Sequence, residues 1–536
     1  MTFSLRSAPL AGFAALAAIA LVITGCTAEP PTPVPTASDA SALPPEILAI
    51  MDDPNYEGGR WGLSLIDLET GKTVLAMNPD EKFRMGSTAK ILSVTAALDK
   101  LGADHRIDTP VIATGPISGG TLTGDLVLRG MGDLTLGAGV KADGTIDVQT
   151  FDHYDANVLP GLATLPAEDP LSGLDSLAAQ VKAAGVNRVA GDVLVDDRLW
   201  DPVVLDKIPI TPIVVNDNLI DFVVTPGAAA GDPATVTWRP QTAAYQPAFA
   251  VTTGATGSPI DLDVTPGDGG ALALAGSVPA GAAPVVHTYQ VPDPATWART
   301  LFMEALVRAG VEVTSDPLTA NPVASLPAAA ELDASAPIAV YTSPPFAETA
   351  RLINKVSHNL GANQLPLLLA AQEGKRTLDD GLAIEMSVLE NGGLTTDEVT
   401  VTDGQGLPDN VITPAGLTDY LKYLTTTATF DTFYDSTPIL GVDGSLASVL
   451  PAGDPAIGKA HAKTGTLVGA DDATGGFVLE TKALAGYLDA KSGKKYGFAI
   501  YVNDVPLGKD PTAVQGKVIQ ANADIGKITS LLYGLY

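Results

Sequence analysis

Residues Ser87–Leu101 (STAKILSVTAALDKL) are apolar on almost every side. A helix without a polar stripe belongs inside a domain, so other elements must wrap it. Gly102 follows, where a helix C-cap is expected. Yet this segment carries Lys90 one turn after Ser87. Residues three apart share a helix face, so the two side chains can meet. Either the serine caps the helix and the lysine is ordinary, or the lysine is a base and the serine its nucleophile. In the second case burial beside another cation lowers the amine's pKa, and the neutral amine takes the hydroxyl proton. The free N–H groups at the helix start then face a developing oxyanion. An S-x-x-K arises by chance in a chain of this length, so the pair alone does not decide.

Two further stretches change the weighing. Ser357-His358-Asn359 lies in NKVSHNLGANQL, within a helical region expected over Ala347–Ala371 and interrupted near Gly361 and Pro366. Lys463-Thr464-Gly465-Thr466 lies in HAKTGTLVG, which reads as a strand. S-x-x-K, S-x-N and K-T-G in this order are shared by penicillin-recognising serine acyltransferases. Chemistry suggests their roles. Ser357 and Lys463 relay the proton from Lys90 to the leaving amine. Lys463 supplies charge, and Thr464 and Thr466 hydrogen bonds, to a substrate carboxylate. Gly465 leaves room for a substrate to add along the strand edge. Asn359 holds Lys90 and the substrate amide, and the N–H groups of Ser87 and Thr466 form the oxyanion hole. Ser87 and Ser357 are 270 positions apart, so the intervening chain must leave the catalytic domain and return.

The remaining sequence fits that plan. Gly62–Leu68 and Thr73–Met77 flank a turn and read as a hairpin. A short helix is expected near Pro44-Pro45-Glu46. From about 103 to 335 short strands are expected at Thr109–Thr114, Asp125–Arg129, Arg188–Asp196, Ile213–Val215 and Ile220–Thr225, with helices near Leu174–Ala184 and Ala295–Ala309. HAKTGTLVG, ALAGYLDA and YGFAIYVND read as three late strands, and Thr512–Leu532 as a closing amphipathic helix. The expected fold class is α/β (α+β): an antiparallel sheet flanked by helices, with a large β-rich insertion of one or two domains. The catalytic domain is expected over residues 44–102 plus 340–536, and the insertion over 103–339.

Ahead of it, Arg6 precedes an apolar run of signal-peptide length, and Ile23-Thr24-Gly25-Cys26 resembles a bacterial lipobox. Residues 1–25 are therefore read as a signal peptide, Cys26 as the lipidation site and 26–43 as a Pro/Thr-rich tether. The alternative is an ordinary signal peptide with an incidental cysteine. Cys26 is the sole cysteine, which rules out an internal disulfide. The expected location is the outer face of the cytoplasmic membrane, reached only through the lipid, or otherwise secreted.

The net charge of −30, from 31 basic and 61 acidic residues, offers no basic footprint for nucleic acid. The five histidines lie far apart with no metal-ligand spacing, so no metal is expected.

Nearly the whole mature chain resembles the class C low-molecular-mass penicillin-binding proteins, D-alanyl-D-alanine carboxypeptidase/endopeptidases. Besides the three motifs, the resemblance rests on LIDLETGKTV, LDKLGADHRIDTPV, GDLVLRGMGDLTL, AAGVNRVAGDVLVDD, VNDNLIDFVVTPG, TDGQGLPDNVITP and GVDGSL. It implies a transpeptidase-like domain with two inserted domains, and release of the terminal D-Ala from peptidoglycan stem peptides, often with cleavage of cross-links. It implies acylation of Ser87 by β-lactam inhibitors and no cofactor. Nothing in the sequence addresses oligomeric state. Several positions depart from the family pattern: Met85-Gly86, Asn363-Gln364, Gln405, and His358 in the middle of S-x-N. His358 reads either as an exposed spacer or as a charge near Lys463 that tunes the pH optimum. A β-lactamase would use the same motifs but has no evident use for the insertion. A lipid-anchored scaffold with a dulled site is the non-enzymatic alternative.

Overall fold

The computed structural model describes residues 20–22, 43–158, 160–471 and 474–536. Cys26 and the tether up to residue 42 lie outside them. The central sheet is ordered Ala460–Asp471, Gly476–Asp489, Lys495–Gly508, Arg60–Asp67, Thr73–Met77, all neighbours antiparallel. Ala20–Val22 pairs parallel with the outer edge at Leu467–Gly469.

Strand alternation explains its two covered faces. Ala483, Ala485, Tyr487, Ala499 and Tyr501 point into one core, against helices Lys90–Leu101, Phe346–Lys355, Asn359–Gln372 and Pro414–Leu424. Leu484, Leu488, Phe498, Ile500 and Val502 point into the other, against Pro45–Met51 and Pro511–Leu535. The apolar helix after Ser87 is thus sandwiched, and its residues from Lys90 to Leu98 are all buried.

The helical region after 346 breaks earlier than the sequence suggested. Phe346–Lys355 ends before Ser357, which adopts a left-handed φ of 64°. Asn359–Gln372 then runs unbroken through Gly361 and Pro366, with His358 as its N-cap. A pre-formed cap and tight packing outweigh the helix-breaking tendency of the proline.

The intervening chain departs and returns side by side. Asp108–Ala113 pairs antiparallel with Ala339–Thr342. Closer to the catalytic sheet, Ser343, Phe346 and Ala347 donate to the carbonyls of Ile107, His105 and Ala103. Adjacent ends let a long segment be inserted without separating the parts it interrupts. Within that segment, a sheet ordered Val193–Asp196, Leu126–Arg129, Asp108–Ala113, Ala339–Thr342 packs on helices Ser172–Ala183 and Pro294–Arg308.

Two strand expectations change. Arg188–Asp196 divides into Arg188–Val189 and Val193–Asp196, which join different sheets. The region Ile213–Val215 makes only a single bridge, from Ile213 to Asp133. Its apolar side chains are buried by packing rather than by ladder pairing.

Candidate active site

The three motifs converge at one end of the sheet. A tight turn of 3₁₀ helix, Gly86–Ala89, leads into the α-helix at Lys90. Gly86 has φ 50°, and a Cβ there would lie 3.2 Å from the Thr466 nitrogen. A Cβ on Gly465 would lie 2.5 Å from the Met85 carbonyl oxygen and 3.3 Å from the Ser87 nitrogen. The serine turn and the K-T-G strand can approach this closely only with glycine on both sides. That contact sets the Ser87 nitrogen beside Gly465 and the Thr466 nitrogen beside Gly86.

Lys90 is fully buried. Its Nζ lies 2.9 Å from Ser87 Oγ, 2.7 Å from Asn359 Oδ1 and 3.0 Å from the carbonyl oxygen of Gln405. Burial pulls its pKa down to about 7, opposed by the charges of Asp155 and Asp403. Asn359 Oδ1 and the Gln405 carbonyl can only accept. A neutral amine therefore gives them its two hydrogens and turns its lone pair toward Ser87 Oγ.

The Gln405 carbonyl is held by Asp403, whose Oδ1 accepts from the N–H groups of Gln405, Gly406 and Leu407. Gln405 stood out in the sequence only as a departure, because a backbone acceptor leaves no side-chain signature.

Lys463 is also fully buried. Burial and the charges of Lys90 and Lys482 hold it well below the ordinary lysine range. Its amine donates to the Thr464 carbonyl at 3.0 Å and not to Ser87. Thr464 Oγ1 shares a hydrogen bond of 2.9 Å with Ser445, which explains the GVDGSL turn. Ser357 Oγ is buried with no hydrogen-bond partner among the described residues. Ser87, Asn359, Gln405, Gly406 and Thr466 line a small cavity. The half-buried carboxyl of Asp155, brought in by the inserted region, is raised to about 6 by burial and by Asp152. His358, Lys90 and Lys463 oppose that rise.

His358 is not an exposed spacer. It is 1 % exposed. Its Nδ1 accepts from Gly361 N–H at 3.0 Å, so the proton sits on Nε2 and points 2.9 Å to Asp217 Oδ2. Its two ring nitrogens are engaged by Gly361 and by Asp217 of the insertion, and not by Lys463.

Asp217 sits in a run of left-handed residues, Asn216, Asp217 and Asn218, with φ of 53°, 52° and 56°. Asn and Asp tolerate that conformation best, so the N-D-N triplet was a usable signal. His153 bridges Asp221 (2.7 Å) and Asp217 (3.0 Å). Burial alone would lower its pKa, but Asp221, Asp152 and Asp217 hold it well above the ordinary value. Asp152, Asp217 and His358 place three ligand atoms within 4.8 Å of one another. His153 sits against the same carboxylates, its Nε2 3.0 Å from Asp217 and 3.8 Å from Asp152.

Removing Asp217 strands two buried N–H donors. Asp217→Ala is expected to lower the unfolding free energy by about 3 kcal/mol and to slow acylation of Ser87 about tenfold by loosening the Ser357–Asn359 turn. Asp217→Asn keeps an acceptor and is expected to cost less. Chemical unfolding curves and penicillin labelling rates check both; an alanine variant that melts and reacts like the wild type refutes the link.

Comparison with known proteins decides the family. The model of the D-Ala-D-Ala carboxypeptidase 3 (S13) family matches residues 44–523. The chain belongs to this family. It is 30% identical over 515 residues to the D-alanyl-D-alanine carboxypeptidase of Actinomadura sp. (strain R39), covering 90% of this chain and 86% of that protein. It is 21% identical over 472 residues to D-alanyl-D-alanine carboxypeptidase DacB of Haemophilus influenzae, covering 84% and 87%. Among solved structures it is similar to penicillin-binding protein 4 (dacB) of Haemophilus influenzae in complex with a β-lactam, with a TM-score of 0.64 at 19% identity, covering 91% of this chain and 99% of that one. The α+β fold of the S13 carboxypeptidases, a sheet flanked by helices, is therefore the fold of this chain.

Proposed function

We propose that this S13 carboxypeptidase releases terminal D-Ala from peptidoglycan stem peptides through an acyl-enzyme on Ser87. Ser87 Oγ attacks the carbonyl carbon of the penultimate D-Ala, and its proton passes to Lys90 Nζ. The N–H groups of Ser87 and Thr466 hold the oxyanion. The C–N bond breaks, and the leaving D-Ala nitrogen takes the proton, relayed by Ser357 and Lys463. Water then hydrolyses the ester.

One observation carries the reading. Lys90 is oriented by two pure acceptors so that its remaining position faces Ser87 Oγ at 2.9 Å. The buried, unpartnered hydroxyl of Ser357 supports the relay, since such a group calls for a partner supplied by the bound state. Thr464, Thr466 and Gly465 are assigned to the substrate carboxylate and backbone. A β-lactam reacts at the same serine, and its amine stays tethered after ring opening.

The test is digestion of a purified stem pentapeptide, with the released amino acid identified by mass. Free D-Ala is the expected product. Penicillin labelling without D-Ala release would instead support the dulled scaffold, and rapid release of hydrolysed penicillin the β-lactamase. Cross-linked dimers in the same assay report endopeptidase activity.

Among the described residues no helix is long and apolar enough to cross a membrane. We assign attachment to a lipid on Cys26, from the sequence Ile23-Thr24-Gly25-Cys26 that precedes the tether. Palmitate incorporation that persists in Cys26→Ala would refute it.

A further inference from the structure

A third lysine is buried beside the cleft, and the mechanism above does not use it. Lys482 lies on Gly476–Asp489, directly opposite Thr466 in the antiparallel register. Opposed residues project from the same face of a sheet. Lys482 is 3% exposed, and its Nζ donates to Thr466 Oγ1 at 2.7 Å. That is its one hydrogen bond among the described residues, and no carboxylate pairs with it. An ammonium offers three donors, and a buried one ordinarily has an anionic partner. Arg299 shows the usual arrangement in the same chain. It is fully buried, and it donates to Asp192 and to the carbonyls of Val193, Asp316 and Thr319. Lys482 has nothing comparable.

Thr466 lines the cavity beside Ser87 and Asn359. Because its oxygen already accepts from Lys482, its own hydroxyl hydrogen is free to point into the cavity. A hydroxyl donor backed by an uncompensated cation suits an anion. The K-T-G strand is the one on which the substrate's C-terminal end is proposed to lie.

We propose that Lys482 is a positioning residue that selects substrates with a free terminal carboxylate, acting through the Thr466 hydroxyl. The inference rests on the carboxypeptidase reading of Ser87. Burial holds Lys482 down to about 7, and its charge in turn helps depress Lys463. A bound carboxylate supplies the missing counter-charge for both.

The experiment compares a diacyl-L-Lys-D-Ala-D-Ala peptide with its C-terminal carboxamide, and penicillin with its methyl ester. Lys482→Met keeps the unbranched shape and most of the length of the side chain and removes a buried unpaired charge, so it is expected to melt no lower than the wild type. The wild type is expected to favour each free acid by about 100-fold in kcat/KM or acylation rate, in line with a charge-assisted contact. Lys482→Met is expected to raise KM for the acid peptide about tenfold or more with kcat within threefold, and to change the rates of both neutral compounds by no more than that threefold, the share that reaches Lys463 through its lost neighbouring charge. Lys482→Arg is expected to restore most of the preference. Equal loss on acid and neutral compounds, or an undiminished preference in Lys482→Met, overturns the assignment. A wild type that cleaves acid and amide equally well overturns Lys482 alone. A wild type that penicillin does not label overturns the reading of Ser87 and the Lys482 assignment with it.

Discussion

Replacing Ser87 by alanine is expected to lower D-Ala release and penicillin acylation by ~10,000-fold or more, since losing a nucleophile removes the covalent route altogether. The fold should survive. Ser87 Oγ makes its hydrogen bond to Lys90, which keeps Asn359 Oδ1 and the Gln405 carbonyl in the variant. The measurement is the mass of the protein after incubation with penicillin, together with its melting temperature. An adduct on the alanine variant would place the nucleophile elsewhere. Full activity without Ser87 would end the acyl-enzyme mechanism. Ser87→Cys is a sharper control: a thiol at the same place should still be acylated, with a different pH dependence.

The second large effect concerns the base. Lys90→Met is expected to reduce kcat/KM about 1,000-fold, the range of a lost general base. Lys90→Arg should fail as badly, because a guanidinium stays protonated and cannot accept the serine proton. Burial brings Lys90 to about 7. Below that pH the amine is charged and inactive as a base, and above it the amine is neutral and active. Acylation in the wild type should therefore rise with pH and inflect near 7, and Lys90→Met should lose that limb. Lys90, Lys463 and Lys482 interact or share the same burial, so the inflection belongs to the group.

Stability carries the same sign. Between about 7 and the ordinary lysine value of 10.5 the unfolded chain holds a proton on Lys90 that the folded one lacks. The unfolded state binds more protons there, so stability rises with pH across that window. Unfolding titrations of wild type and Lys90→Met at pH 7 and pH 10 check it. A wild type with the same pH slope as the variant refutes a depressed Lys90.

Much of the site was legible because its chemistry is local. Ser87 and Lys90 meet through helix geometry alone, and K-T-G sits on a strand that hydropathy alternation reveals. The sheet was legible for the same reason: its late strands alternate cleanly, and the hairpin before Ser87 has a clear turn. The break before Asn359 was misplaced because it depends on the left-handed Ser357 and on a histidine cap, neither of which periodicity registers. His358 was misjudged because its partner, Asp217, is 141 positions away. Lys482 was overlooked because a lysine on a strand reads as solvent-facing until the strand's neighbours are known.

By itself, then, the sequence determined the candidate reacting groups, their order along the chain, and the need for a long excursion between the first two motifs, since spacing and periodicity are properties of neighbours in the chain. Only the tertiary structure decided which carbonyl completes the cradle of Lys90, which carboxylate of the insertion grips His358, and which buried cation stands behind Thr466. Those contacts join residues remote in sequence, and their worth comes from exclusion of water, which exists only once the chain has folded.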